Sequence, residues 1–215
     1  LSENYESALK LNEAEEVLLK AEKEVAALKN QTFSYKTFNQ AAWYYYRRGN
    51  FPKSFVYSEK AMDAAEILQD ELRIAQTNLM LGMNKGRLGD FTKALELYQS
   101  AYPVFEKHKD LRNKFVVITN IAGIYFDQRD FNLAIEYFKK AIKVAEERNN
   151  KRQIGTSLNN IAAALHNLGK NKEARETYEK AIEDQCDKLG ITTTEEEKKD
   201  LISGAGADQM VRGFV

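Results

Sequence analysis

Gly89-Asp90-Phe91 is the stretch that decides the fold, because it keeps returning. Gly49-Asn50-Phe51 lies forty residues before it, Arg129-Asp130-Phe131 forty after, and Gly169-Lys170-Asn171 forty after that. A fixed period of this size marks stacked structural repeats. Within the stretch, Gly89 suits the left-handed position just past a helix end, and Asp90 suits the N-cap of the next helix. The recurrence therefore predicts helix pairs. The first helices run over 35–48, 72–88, 112–128 and 152–168, the second over 52–68, 92–108, 132–149 and 172–188. Pro52 falls in a first turn, where its missing N–H costs little. Pro103 lies inside Ala94–Lys107 and predicts a kink or early break near Ser100–Pro103.

The same period aligns small residues into columns. Ala94, Ala134 and Ala174 form one, and Ala101, Ala141 and Ala181 another. Tyr98, Phe138 and Tyr178 stand beside them. Ala42, Gly82, Ala122 and Ala162 give the first helices a small-residue column at the tightest crossing, where a larger side chain costs about 1–3 kcal/mol through overpacking. Residues 3–29 form a further helix with Leu11, Ala14, Leu18, Ala21, Val25 and Leu28 at alternating spacings. That spacing fits a coiled-coil seam. It also fits the second helix of a truncated preceding repeat, since Ala14 and Ala21 lie forty residues before Ser54 and Ala61. The resulting layout is 1–34 for that partial repeat, four repeats over 35–70, 71–110, 111–150 and 151–190, and 191–215 for the end. There, Thr194 ahead of three glutamates predicts a short capping helix over 195–203. Met210, Val211, Phe214 and Val215 follow a glycine-rich link as a flexible apolar tail.

Composition narrows the function classes. With 32 basic and 32 acidic residues the net charge is zero, so no basic footprint for nucleic acid is present. No apolar run reaches the roughly 20 residues of a membrane span. The single cysteine, Cys186, cannot form an internal disulfide, and no signal peptide opens the chain; both point to a cytoplasmic protein. A start at Leu1 reads as a piece of something longer.

The recurring pattern of small residue, Tyr, Asp-Phe, Ala, aromatic and Ala, clearest in Ala122, Tyr125, Asp130-Phe131, Ala134, Tyr137-Phe138 and Ala141, resembles the tetratricopeptide repeat. The resemblance covers about 35–188. It implies an all-α, right-handed superhelix of antiparallel helix pairs. The forty-residue period exceeds the family's usual thirty-four. Elongated repeats of this kind are similar to those of bacterial peptide-pheromone receptors and phosphatases, of kinesin light chains and of cell-polarity adaptors. They also resemble sensory arrays attached to bacterial kinases and transcription factors.

The resemblance further implies a concave face, lined by the first helices, that binds peptides. By register that face takes Asn39, Trp43, Tyr46 and Arg47; Leu79, Met80, Met83 and Arg87; Thr119, Asn120, Gly123, Phe126 and Asp127; and Asn159, Asn160, Ala163, His166 and Asn167. The basic residues with which chaperone-binding members grip a carboxylate tail are missing, since Asn39, Trp43, Met80, Val116 and Asn120 stand there. Asn120 and Asn160 form a column instead. An amide offers donor and acceptor together, so such a row can pair with an extended backbone of any sequence. Elongated members of the family use asparagines in this way. The competing reading is that these amides only cap and bridge their own helices. Trp43 and Tyr46 suit interface anchors, or they pack against the N-terminal helix. Tyr45 shares a core column with Tyr125.

No catalytic constellation emerges. Gly82, Gly86 and Gly89 fall within a helix and at its end with no preceding strand, so they are no phosphate loop. His166 lacks a second His or Cys at metal-ligand spacing. The expectation is therefore a non-enzymatic module without metal or cofactor, gripping a protein or peptide segment as a scaffold or adaptor. The alternative is a peptide-gated regulatory or sensory domain of a bacterial signalling protein, with homodimerisation through the array ends or the C-terminal tail as a further expectation.

Overall fold

The computed structural model describes residues 15–25 and 30–189, with side chains to residue 181. Among them are nine helices and no strand. These are α1 (15–25), α2 (Gln31–Arg47), α3 (Phe51–Ile67), α4 (Glu71–Arg87), α5 (Phe91–Lys107), α6 (Leu111–Asp127), α7 (Phe131–Glu147), α8 (Lys151–Asn167) and α9 (Asn171–Leu189). The expected capping helix at 195–203, the tail at 210–215 and the Cys186 side chain lie outside the described residues.

Helices α2 to α8 each have 17 residues, and successive starts are spaced so that three residues connect each pair. The turns explain that economy. Asn30, Asn50, Asp70, Asp90, Asp110, Asp130 and Asn150 are N-caps, each accepting from the backbone N–H three residues on. The residue before the cap is left-handed at Gly49, Gln69, Gly89, Lys109, Arg129 and Asn149, and Gly169 is left-handed at the same place ahead of α9. The capping residue's own N–H then reaches back five residues: Asn50 to the Tyr45 carbonyl at 3.0 Å, Asp90 to Lys85 at 2.9 Å, Asp130 to Tyr125 at 2.9 Å. This is the Schellman arrangement, and its outermost residue serves at once as the N-cap of the following helix. One polar residue thus closes two helix ends.

Two expectations are corrected here. Helix α2 begins at Gln31 rather than near Tyr35, because Asn30 caps it by accepting from Phe33 N at 3.1 Å. No early break occurs at Pro103, since α5 runs on to Lys107. The carbonyl that proline leaves without a donor belongs to Gln99, on an exposed position, while Tyr98, Ala101 and Phe105 bury the opposite side. Water can satisfy the freed group, and core packing holds the helix through it.

The described chain forms two compact units, divided between His108 and Lys109. In the first, α2 packs on α3, α3 on α4 and α4 on α5; in the second, α6, α7, α8 and α9 pack in the same succession. Connections of three residues make each neighbouring pair antiparallel. The small-residue columns are buried as expected: Ala42, Ala122 and Ala162 in the first helices, Ser54, Ala94, Ala134 and Ala174 in the second. At Gly82 the need is steric, because an added Cβ would lie 2.6 Å from Cε1 of the buried Tyr98. Ser54 enters an alanine column without penalty, since its hydroxyl donates to the Ala42 carbonyl at 2.9 Å.

Candidate functional site

The candidate residues fall on two faces, one in each unit. In the first unit α2 supplies Asn39, Trp43, Tyr46 and Arg47, spaced so that they share a helical stripe. Trp43 and Tyr46 meet edge to face at 6.2 Å, and Arg47 lies over the Trp43 ring at 6.0 Å. From α4, Arg87 Nε donates to the Tyr46 hydroxyl at 3.1 Å. These four side chains therefore make one patch across α2 and α4, with half-buried rings and exposed guanidinium groups. Leu79, Met80 and Met83 depart from the expectation: all three are buried, Met83 at 9% exposure, and they support the face from beneath. Phe51, which packs edge to face on Tyr46 at 5.4 Å, was not a candidate. Its signal was the aromatic of the recurring turn, which borders the face as well as marking the period.

In the second unit α6 and α8 carry the amides. Asn120 turns its Nδ2 back to the Val116 carbonyl at 2.7 Å, and Asn167 does the same to Ala163 at 2.8 Å. Their donors are thus engaged within their own helices, as the competing reading expects, and the Asn120 carbonyl oxygen remains as an acceptor. Asn159 and Asn160, both partly exposed, make no side-chain hydrogen bond among the described residues. His166 Nδ1 lies 3.0 Å from Asn171 Oδ1, tying the end of α8 to the start of α9. Phe126 stands edge to face with Phe131 at 5.2 Å, repeating the Tyr46–Phe51 contact of the first unit. Asp127 is exposed at the end of α6. Gly123 lies between Asn120 and Asp127, and a Cβ built there would meet nothing within 4 Å. The α6 surface at that point is open backbone, where another chain can approach closely.

A separate cleft of about 370 Å³ in the first unit is floored by Ile74, Ala75 and Val104 and rimmed by Glu71. Lys107 pairs with that carboxylate at 2.7 Å, and His108 Nε2 lies 3.2 Å from it. The cleft contains none of the candidate residues. Among the described residues no helix is long and apolar enough to cross a membrane.

The sequence profile of the tetratricopeptide repeat matches residues 33–107 and 115–186. No curated protein matches the sequence. Several solved structures share the fold. Aspartyl phosphate phosphatase F from Bacillus subtilis is similar at 23% identity and a TM-score of 0.77, over 94% of this chain and 53% of its own. BtubC from P. vanneervenii is similar at 17% identity and a TM-score of 0.72, over 86% of this chain and 80% of its own. A Rap protein solved in complex with competence and sporulation factor is similar at 18% identity and a TM-score of 0.62, over 71% and 43%. The chain thus spans about half the length of the Bacillus subtilis phosphatase it matches.

Proposed function

Because the chain belongs to the tetratricopeptide repeat family, we propose that it is a protein-binding module that holds an extended peptide segment on the first-helix surface of its second unit. The observation that carries this reading is the α6–α8 face. Asn159 and Asn160 leave donor and acceptor unengaged among the described residues, and Gly123 leaves α6 backbone open beside Asn120. A backbone strand presents alternating N–H and C=O groups, and amides answer both without reading side chains. The Trp43–Tyr46–Arg47–Arg87 patch on the first unit offers a second kind of contact, aromatic and cationic, suited to an aromatic or acidic side chain of a partner. Neutral overall charge gives nucleic acid no electrostatic foothold.

A regulatory role is the second reading. It is favoured by the likeness to a phosphatase and to a Rap protein solved with a bound factor, each longer than this chain. In that reading the segment held by the face gates a further part of the protein.

The test uses peptides selected from a random displayed library on the full chain. Each amide hydrogen bond contributes about 0.5–1.5 kcal/mol. Replacing Asn120 and Asn160 together by Ala should therefore weaken the selected peptide by about tenfold or more, with thermal unfolding nearly unchanged. Unchanged affinity with a fall in stability would identify the amides as structural.

A further inference from the structure

Helix α1 sits on the first unit through two matching clamps. Glu15 Oε1 accepts from the Tyr45 hydroxyl at 2.9 Å and from Lys53 Nζ at 2.6 Å. Seven residues on, Glu22 accepts from the Tyr57 hydroxyl at 2.9 Å and pairs with Lys60 Nζ. Lys53 and Lys60 are also seven residues apart, so α1 lies parallel to α3 with two turns of each helix in step. Beneath the carboxylates the rings form a continuous layer. Tyr45 and Tyr57 stack at 5.4 Å with planes 10° apart, Phe38 tilts against Tyr57 at 6.4 Å, and Tyr44 stands edge-on to Tyr45 at 5.2 Å. The lysines lie over the same rings, Lys53 at 4.9 Å from Tyr45 and Lys60 at 5.1 Å from Tyr57. Leu18 packs on this layer between the clamps.

The layer belongs to α2 and α3, and the described residues of α1 hold to it lightly. Tyr45 and Tyr57 belong to the core of α2 and α3, buried with Ala41, Ala42 and Met80. Of α1 only Val25 is buried, and both clamp ion pairs are open to water. Exposed ion pairs contribute little, typically about 0–1 kcal/mol each. By contrast α5 sinks Tyr98, Ala101 and Phe105 into its neighbours at 1% exposure or less. Recognition on the Tyr45–Tyr57 layer is thus specific in pattern and modest in strength.

We propose that this aromatic–lysine layer of α2 and α3 is a docking site for an acidic amphipathic helix of a partner protein, and that α1 is its resident occupant, displaced when the partner binds. The ligand's chemistry follows from α1 itself: two carboxylates seven residues apart, each placed to take one phenol and one ammonium, with an apolar residue three positions after the first. This surface is distinct from the α6–α8 face and does not depend on the reading given to it.

The test uses a labelled synthetic peptide of residues 13–27 as the probe, titrated against the full chain by fluorescence anisotropy. Replacing Glu15→Gln and Glu22→Gln in the chain weakens the resident helix, so the probe should bind that variant about tenfold more tightly than it binds the unsubstituted chain. A probe carrying the same two glutamines should bind the variant about tenfold more weakly than the acidic probe. In the unsubstituted chain, excess acidic probe should speed amide exchange in 15–25. Absence of binding to the variant, equal binding by the two probes, or unchanged exchange in 15–25 would overturn the proposal. Far-UV circular dichroism of the variant establishes that it is folded, and the exchange measurement needs no substitution at all.

Discussion

Two glycines on equivalent-looking helices carry opposite requirements. At Gly82 a methyl group would press into the buried Tyr98 ring, 2.6 Å from Cε1 and 2.9 Å from Cδ1. Gly82→Ala should therefore destabilise the chain by about 1–2 kcal/mol, overpacking outweighing the helix-propensity gain. At Gly123 nothing stands in the way. Gly123→Ala should stabilise by about 0.5–1 kcal/mol, and should weaken the peptide selected on the full chain if that opening is where a backbone approaches. Denaturant titration of both variants measures the first pair of effects and anisotropy the last. The sequence placed both glycines on the first helices, but only coordinates separate a glycine under a tyrosine from one facing solvent. Asn120 makes the same point. Its column was legible from the forty-residue register, yet register carries no rotamer, and the bond from Nδ2 to the Val116 carbonyl was not. Met83 was misplaced for a related reason: periodicity gives a stripe, and a long flexible side chain at its edge turns inward wherever apolar contacts are available.

At the scale of elements, the connections were nearly written out. Gly89 and Asp90 revealed one turn type, and that turn occurs at every interval of twenty residues. Four of its seven occurrences among the described residues lack glycine, which hid the shorter period. Gln69, Lys109, Arg129 and Asn149 adopt the left-handed conformation that costs a non-glycine residue about 1–2 kcal/mol. Arg129→Gly should accordingly raise stability by a few tenths to about 1 kcal/mol after glycine's own entropy cost. Asp130→Ala, which removes the acceptor for Leu133 N, should lower it by about 1 kcal/mol. If both changes were neutral in thermal unfolding, the turns would not control the register. Helix α1 responds to pH instead. Hydrogen bonds from Lys53 and Tyr45 hold the Glu15 carboxyl below its ordinary value. At Glu22 burial opposes ionisation, but the Lys60 and Tyr57 hydrogen bonds outweigh it and the shift is also downward. A lowered carboxyl pKa contributes stability that is complete above the ordinary glutamate value of about 4.3 and fades as pH falls below it. Amide protection in 15–25 should therefore decline first on acidification, ahead of α4 and α5. Loss of protection in all three helices together would contradict this.

For the whole molecule, one repeated helix pair yields several surfaces, and the surfaces differ. The fold was readable from spacing because each turn closes two helices, so a single period recurs in caps, left-handed residues and small-residue columns alike. Function was less readable, since a binding face is defined by which amides and rings remain unengaged after the helices have used what they need. The most direct test follows the side-chain amide resonances of the asparagines by NMR while a library-selected peptide is titrated into the full chain. The capping residues Asn30, Asn50 and Asn150 serve as internal references, each engaged at a helix start. The account predicts that Asn120, Asn159 and Asn160 shift together with a common affinity while the caps stay still. Saturating peptide that leaves those three resonances unmoved would contradict it.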